Sequence, residues 1–192
     1  MPGRAVSEDE VLLSRYLKGD LGAFDELVAL HGSSLMVYVR SMTGSVEEAE
    51  DLFQETWQRV LKNASSFRGG TLRSWIWRIA KNARIDWVRR RKPDESLDRE
   101  VGDGESVLGD FIEAPGLTAA EMVSSADMVE RIGECVGTLP EAQREVFLMR
   151  TVGDLSFREI AEVLEVPLNT ALGRMHYAVN RLREMLVDER IV

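Results

Sequence analysis

Leu155-Ser156-Phe157-Arg158-Glu159-Ile160-Ala161-Glu162-Val163-Leu164-Glu165-Val166-Pro167-Leu168-Asn169-Thr170-Ala171 holds a helix start, a helix stop and a second helix start in close succession. Ser156 with Glu159 makes a capping box, in which the hydroxyl and the carboxylate satisfy the first free amides of a helix. The helix it opens ends near Leu164, and Glu165-Val166-Pro167 makes the turn. From about Leu168 to Val187, Ala171, Met175, Ala178, Leu182 and Met185 recur at helical spacing and turn inward. A short helix, a tight turn and a longer helix make a helix-turn-helix, whose second helix is normally presented to a DNA major groove.

The same period continues toward the N-terminus. Met128, Ile132, Cys135, Val136 and Leu139 form one stripe that stops at Pro140, and a further helix runs from about Glu141 to Val152. Before them, residues 93–126 are acidic, contain Gly102, Gly104, Gly109, Pro115 and Gly116, and have no sustained periodicity; they read as a flexible linker. Residues 1–92 form a second helical block. Ser7 with Glu10 caps a short helix closed by Gly19-Asp20, and a second helix runs from about Ala23 to Met42. Ser45 with Glu48 caps a third, whose stripe is Val46, Ala49, Phe53, Trp57, Val60 and Ala64. A fourth follows Gly69-Gly70 and buries Leu72, Trp75, Ile76, Ile79, Ala80 and Ala83. No stretch alternates apolar and polar residues long enough for a sheet. The expected fold is all-α, with small helical domains at 1–92 and 127–192 joined by the acidic linker 93–126.

Composition narrows the function. The 192 residues are 44% hydrophobic, enough for real cores. The N-terminus, Met1-Pro2-Gly3-Arg4 followed by Ser7-Glu8-Asp9-Glu10, has no secretory pattern, and the apolar runs are too short for a membrane span. The single cysteine, Cys135, excludes an internal disulfide, gives no metal cluster and reads as a core hydrophobe; a reduced cytoplasm fits it. The net charge of −9 conceals an asymmetry: residues 68–92 carry +8 and residues 93–126 carry −8. A basic block beside an acidic tract suits one surface for a polyanion and another segment for a basic partner.

The fourth helix adds Arg73, Trp77, Arg78, Lys81, Asn82 and Arg84 on what the pattern reads as its outward face. Cations interleaved with an aromatic suit distorted or single-stranded nucleic acid, because cations neutralise phosphates while flat side chains stack on unstacked bases. A solvated face with Trp77 tucked into the core is the alternative, and the run Arg89-Arg90-Arg91-Lys92 favours nucleic acid. The third helix carries Asp51, Gln54, Glu55 and Gln58 outside its stripe, either a solvated face or a docking face.

These segments resemble the extracytoplasmic-function sigma factors of the sigma-70 family. Asp51-Leu52-Phe53-Gln54-Glu55-Thr56-Trp57 is similar to the D-L-x-Q-E-x-F/W signature of sigma region 2. Phe67-Arg68-Gly69 with Trp75-Ile76-Trp77-Arg78-Ile79-Ala80-Lys81-Asn82 is similar to its promoter-melting segment. Leu139-Pro140-Glu141-Ala142-Gln143-Arg144-Glu145-Val146-Phe147 and Leu155-Ser156-Phe157-Arg158-Glu159-Ile160-Ala161 resemble sigma region 4. The blocks stand in the family order over roughly three quarters of the chain.

The resemblance implies a promoter-specificity subunit and not an enzyme, with no cofactor and no metal. Core RNA polymerase, through its β′ clamp helices and β flap, promoter DNA and an anti-sigma factor are the implied partners, and stress-responsive transcription the implied setting. It assigns Asp51, Leu52, Gln54, Glu55 and Gln58 to polymerase docking. It assigns Phe67, Arg68, Arg73, Trp77, Arg78, Lys81, Asn82 and Arg84 to the minus-ten element, with Phe67 as apolar wall and Asn82 as hydrogen-bonding amide for a flipped base. Asn169, Thr170, Leu172, Gly173, Arg174, His176, Tyr177 and Arg181 fall to the minus-35 element. Where the family often reads V-G-T-V-K/R-S-R-L-H-R-A-R, this chain lacks cations at Leu172, Tyr177 and Val179 and carries Gly173 in mid-helix.

Rival readings are a stand-alone helix-turn-helix regulator and a DNA recombinase. The first meets an N-terminal block with neither the parallel sheet of a phospho-receiver nor the strands of a ligand sensor. The second meets serines (Ser33, Ser34, Ser65, Ser66) that lie in no Arg-rich setting able to activate them.

Overall fold

The computed structural model describes residues 7–91 and 126–188. The expected linker therefore lies outside the described residues, apart from Ala126, as do Lys92 and the side chain of Met128. Side-chain capping marks the start of several of the described helices. α1 (Glu8–Leu17) follows Ser7, whose N–H donates to Glu10 Oε2 at 3.4 Å. α2 is Gly22–Met42. α3 (Val46–Asn63) begins where the Glu48 N–H donates to Ser45 Oγ at 3.2 Å. A single 3-10 turn, Ala64–Ser66, leads to α4 (Leu72–Arg91), where the Ser74 N–H donates to Thr71 Oγ1 at 3.2 Å. α5 (Ala126–Thr138) and α6 (Glu141–Thr151) precede α7 (Phe157–Leu164). There the Ser156 N–H donates to Glu159 Oε2 at 2.8 Å and the Glu159 N–H returns to Ser156 Oγ at 3.3 Å. α8 is Leu168–Asp188. Among the described residues all regular structure is helical, the all-α fold that the period implies.

The chain divides into two compact units, one built around α1–α4 and one around α5–α8. In the first, α2 supplies Leu27, Leu35, Tyr38 and Val39, α3 supplies Ala49, Leu52, Trp57 and Val60, and α4 supplies Leu72, Ile76, Trp77, Ala80 and Ala83, all buried. Each large apolar side chain so buried contributes about 1.5–3 kcal/mol. Aromatic contacts fix the helices to one another: Tyr38 lies 5.1 Å from Trp77 between ring centroids, and Phe24 meets Trp57 edge-on at 5.6 Å.

The faces differ from the sequence reading in detail. Val46 sits in the first turn of α3, 59% exposed, and the buried line runs through Ala49, Leu52, Thr56 and Val60, leaving Phe53 at its edge. Thr56 is tolerated there because its hydroxyl donates to the Leu52 carbonyl at 2.8 Å. On α4 the core arc is rotated so that Trp77 and Arg84 point inward while Trp75 and Ile79 are only partly buried.

One buried ionisable contact ties α1 to α2. His31 Nε2 lies 3.4 Å from Asp9 Oδ2, and both residues are buried. Burial holds the imidazole below the usual histidine range; Asp9 pulls the other way and Arg73 reinforces the fall. Folded His31 thus takes up a proton less readily than the unfolded chain does. The unit loses stability as the pH falls below about 6.5, and the loss continues down to the depressed folded value. Urea unfolding at pH 7.5 and 5.5 should give a lower midpoint at 5.5, with the difference reduced in His31→Gln; a midpoint that rises on acidification would contradict the sign.

In the second unit Cys135, Val136 and Leu139, Val146, Leu148 and Met149 of α6, Ile160 of α7, and Ala171, Ala178 and Leu182 of α8 are buried. Met175 and Met185, expected inside, lie at the margin; the Thr138 hydroxyl donates to the Met185 sulfur at 3.2 Å. α7 stops because Glu165 adopts a left-handed conformation (φ 59°) and the Val166 N–H reaches back to the Ala161 carbonyl at 3.0 Å. No helix among the described residues is long and apolar enough to cross a membrane.

Candidate protein and nucleic-acid interfaces

The outer side of α3 presents Asp51, Gln54 and Gln58, all exposed and spaced to share one face. Two members of the expected docking set stand apart. Leu52 has no exposure and belongs to the core, because its position lies on the buried line of the helix. Glu55 is partly buried and already bonded: Arg90 donates to both its oxygens (3.2 and 2.6 Å), and Arg59 donates to Oε1 at 2.6 Å. Burial raises the Glu55 carboxyl, but the Arg90 and Arg59 bonds outweigh it and hold the group below the ordinary carboxylate range.

This contact is part of an ionic seam between α3 and α4. Arg59 also donates to Asp86 Oδ2 at 2.7 Å, Arg91 pairs with Glu48, and the Arg91 guanidinium lies over the Trp87 ring, 4.6 Å from its centroid. The run Arg89-Arg90-Arg91 is therefore not simply a phosphate-binding strip, because two of its three cations are engaged with acids of α3. The +8 of this segment had no way to register partners supplied by a neighbouring helix.

A second surface surrounds the start of α4. Phe67 is partly exposed and its ring meets Trp75 edge-on, 5.6 Å between centroids. Gly69 and Gly70 follow with φ of 70° and 75°, a conformation that glycine adopts without the Cβ penalty. Arg68 donates to the carbonyls of Ser65 (2.6 Å) and Phe67 (2.9 Å), folding its guanidinium onto the loop that carries Phe67. Arg78 and Asn82 are exposed, and Arg73 and Lys81 partly buried. Trp77 and Arg84 are removed from this surface, with exposures of 0% and 6%. The available aromatic is Trp75, which helical period alone assigns to the core.

The third surface is α8. At 3.6 residues per turn the side opposite Ala171, Ala178 and Leu182 carries Asn169, Gly173, His176 and Asn180. Asn169, His176, Tyr177 and Arg181 are exposed; Thr170, Leu172, Gly173 and Arg174 are partly exposed. Asn180, absent from the sequence-based set, has its amide nitrogen 2.9 Å from His176 Nε2. Its i, i+4 relation to His176 is the signal that could have found it.

Two helical units, one with Phe67, Trp75 and exposed Arg78 and Asn82 around a glycine-flanked loop and the other with an exposed second helix, have the features of a protein that binds nucleic acid. Residues 27–93 match the Sigma-70 region 2 family and residues 129–182 match Sigma-70, region 4. The chain is 34% identical over 173 residues to the ECF RNA polymerase sigma factor SigW of Bacillus subtilis, covering 89% of this chain and 92% of that one. It is 29% identical to the ECF RNA polymerase sigma factor RpoE of Cereibacter sphaeroides, over 96% of this chain and 98% of the relative. Among solved structures it is similar to the sigma factor RpoE in complex with the anti-sigma factor NepR from Bartonella quintana. That likeness has TM-score 0.63 and 26% identity, over 85% of this chain and 96% of that one. CnrH, solved with the cytosolic domain of CnrY, shares the fold at TM-score 0.65 and 24% identity over 95% and 99% of the two chains.

The chain belongs to the extracytoplasmic-function sigma factors of the sigma-70 family. It binds core RNA polymerase and directs promoter recognition and opening.

Proposed function

We propose that the three surfaces divide this work: the Asp51, Gln54 and Gln58 face of α3 docks on the β′ clamp helices, the Phe67 loop and the first turns of α4 capture the melted minus-ten element, and α8 reads the minus-35 element. The protein acts in the cytoplasm and performs no catalysis of its own, bond formation belonging to the polymerase. An anti-sigma factor restrains it, a reading supported by the likeness to RpoE solved with NepR. The β flap is assigned to the α5–α8 unit as its polymerase contact.

The observation that carries the division is the pairing of Phe67 with Trp75 on a glycine-flanked loop, with exposed Asn82 farther along the same helix. Seven residues separate Trp75 from Asn82, two turns or about 10 Å of rise, so both lie on one side of α4. Apolar walls and an amide over that span suit an extruded base and its neighbour.

Docking is tested separately from DNA. Asp51→Arg reverses a charge on an exposed position, so the fold is kept and affinity for core polymerase falls, by about tenfold or more, as expected for a like-charge clash with a basic partner. Competition against the wild-type chain for core measures it. Equal competition by the variant with an unchanged melting temperature would move the docking face elsewhere.

A further inference from the structure

Gly173 is the residue of α8 for which the protein interior gives no reason. Glycine in a helix is unfavourable relative to alanine, because the unfolded chain gains freedom that folding must remove. It is kept where a positive φ or a crowded neighbour excludes a side chain. Neither holds at Gly173: its φ is not in the positive range, and a Cβ built there would meet nothing within 4 Å. It lies instead on the line of α8 farthest from the core, between Asn169 one turn before it and His176 and Tyr177 one turn after it, all exposed.

We infer that Gly173 sets the depth at which α8 enters the major groove of minus-35 duplex DNA, its missing side chain letting the helix backbone approach until Asn169 and His176 reach base edges. This rests on the assignment of α8 to the minus-35 element. Both readers have short side chains, and a side chain amide pairs with adenine N6 and N7 only when the backbone comes close. A longer cation can read guanine from farther away, but within one turn of Gly173 the outermost line of α8 carries none, the exposed Arg183 lying two turns beyond His176. Arg174 and Arg181 lie on one flank of that line, where they suit phosphates. The Asn180 amide, 2.9 Å from His176 Nε2, holds the imidazole in one orientation beside the gap.

The closest approach and the helix cost make opposite demands, so one substitution separates them. Gly173→Ala should raise the melting temperature of the α5–α8 unit by about 4–8 °C, because alanine is the better helix former. Holoenzyme carrying the same variant should discriminate less among minus-35 sequences. The probe is a duplex promoter library randomised at the minus-35 and minus-ten elements, transcribed with core polymerase and read by sequencing the transcripts. The ratio between the best and worst minus-35 sequences should fall roughly tenfold, the size of one lost base contact. Gly133→Ala on α5 is the control, since a Cβ there also meets nothing within 4 Å; it should raise the melting temperature and leave the ratio unchanged.

Gly173→Ala with higher stability and undiminished minus-35 discrimination would overturn the inference, as would an equal loss in Gly133→Ala. Asn169→Ala with His176→Ala distinguishes the two levels of the argument. If that pair also leaves discrimination intact, the assignment of α8 to the minus-35 element fails; if the pair abolishes it and Gly173→Ala does not change it, only the depth-setting role is lost.

Discussion

Trp77→Ala should lower the stability of the α1–α4 unit by about 3–5 kcal/mol, the range for deleting a buried large aromatic side chain. The indole has no exposure and packs against Tyr38, itself fully buried, at the centre where α2 and α4 meet. Of stability lost on that scale little remains for a domain of this size, so polymerase docking and promoter opening fall together with the fold. The indole N–H has no acceptor among the described residues, which makes Trp77→Phe the informative companion. It keeps an aromatic ring beside Tyr38 and removes a buried unpaired donor, so it should cost well under half as much. Urea titration of each variant, followed by circular dichroism, measures both. If Trp77→Ala unfolds at the wild-type midpoint and loses only minus-ten binding, the indole stands on the DNA side and the orientation of α4 described above is wrong.

The position of Trp77 marks where the sequence stops being legible. Capping and turn residues placed each helix closely, because Ser45 with Glu48 and Ser156 with Glu159 act within one turn of chain and need nothing from elsewhere. Membership of the family was carried by short motifs in order. What helical period could not resolve was which arc of α4 faces inward. Trp75, Trp77 and Ile79 are all apolar and span more of the circumference than one core can cover, so the choice fell to complementary neighbours such as Tyr38, distant in sequence. The charges follow the same rule. Arg90 lies 35 residues from the Glu55 it bonds, a separation at which no local pattern registers an ion pair. Sequence reasoning therefore found a basic block but could not divide it into cations engaged with the protein and cations available to DNA. Leu52 repeats the lesson on α3: the motif includes it, and the fold uses it as core.

Asn82→Ala and Phe67→Ala should each slow promoter opening by roughly 5- to 150-fold, corresponding to about 1–3 kcal/mol of lost base recognition, while closed-complex formation changes little. The extruded base exists only once melting has begun, so a residue that holds it acts on that step and not on the preceding one. Asn82 is exposed on α4, and truncating an exposed amide costs the fold no more than about 0.5 kcal/mol. A loss of opening with an unchanged melting temperature thus reports on DNA. Phe67 is different in kind, because its ring also shields one edge of Trp75. Phe67→Leu restores an apolar wall without the edge-on contact, and its recovery of opening would separate base packing from support of Trp75. The decisive comparison uses two templates, native duplex and a promoter whose minus-ten bubble is pre-melted by mismatches. Pre-melting removes the cost of opening but keeps the need to hold the base, so both variants should remain defective in discriminating bases at one minus-ten position. If Asn82→Ala discriminates bases there as wild type does, or if its melting temperature falls along with every activity, Asn82 braces the helix bundle and some other residue holds the base.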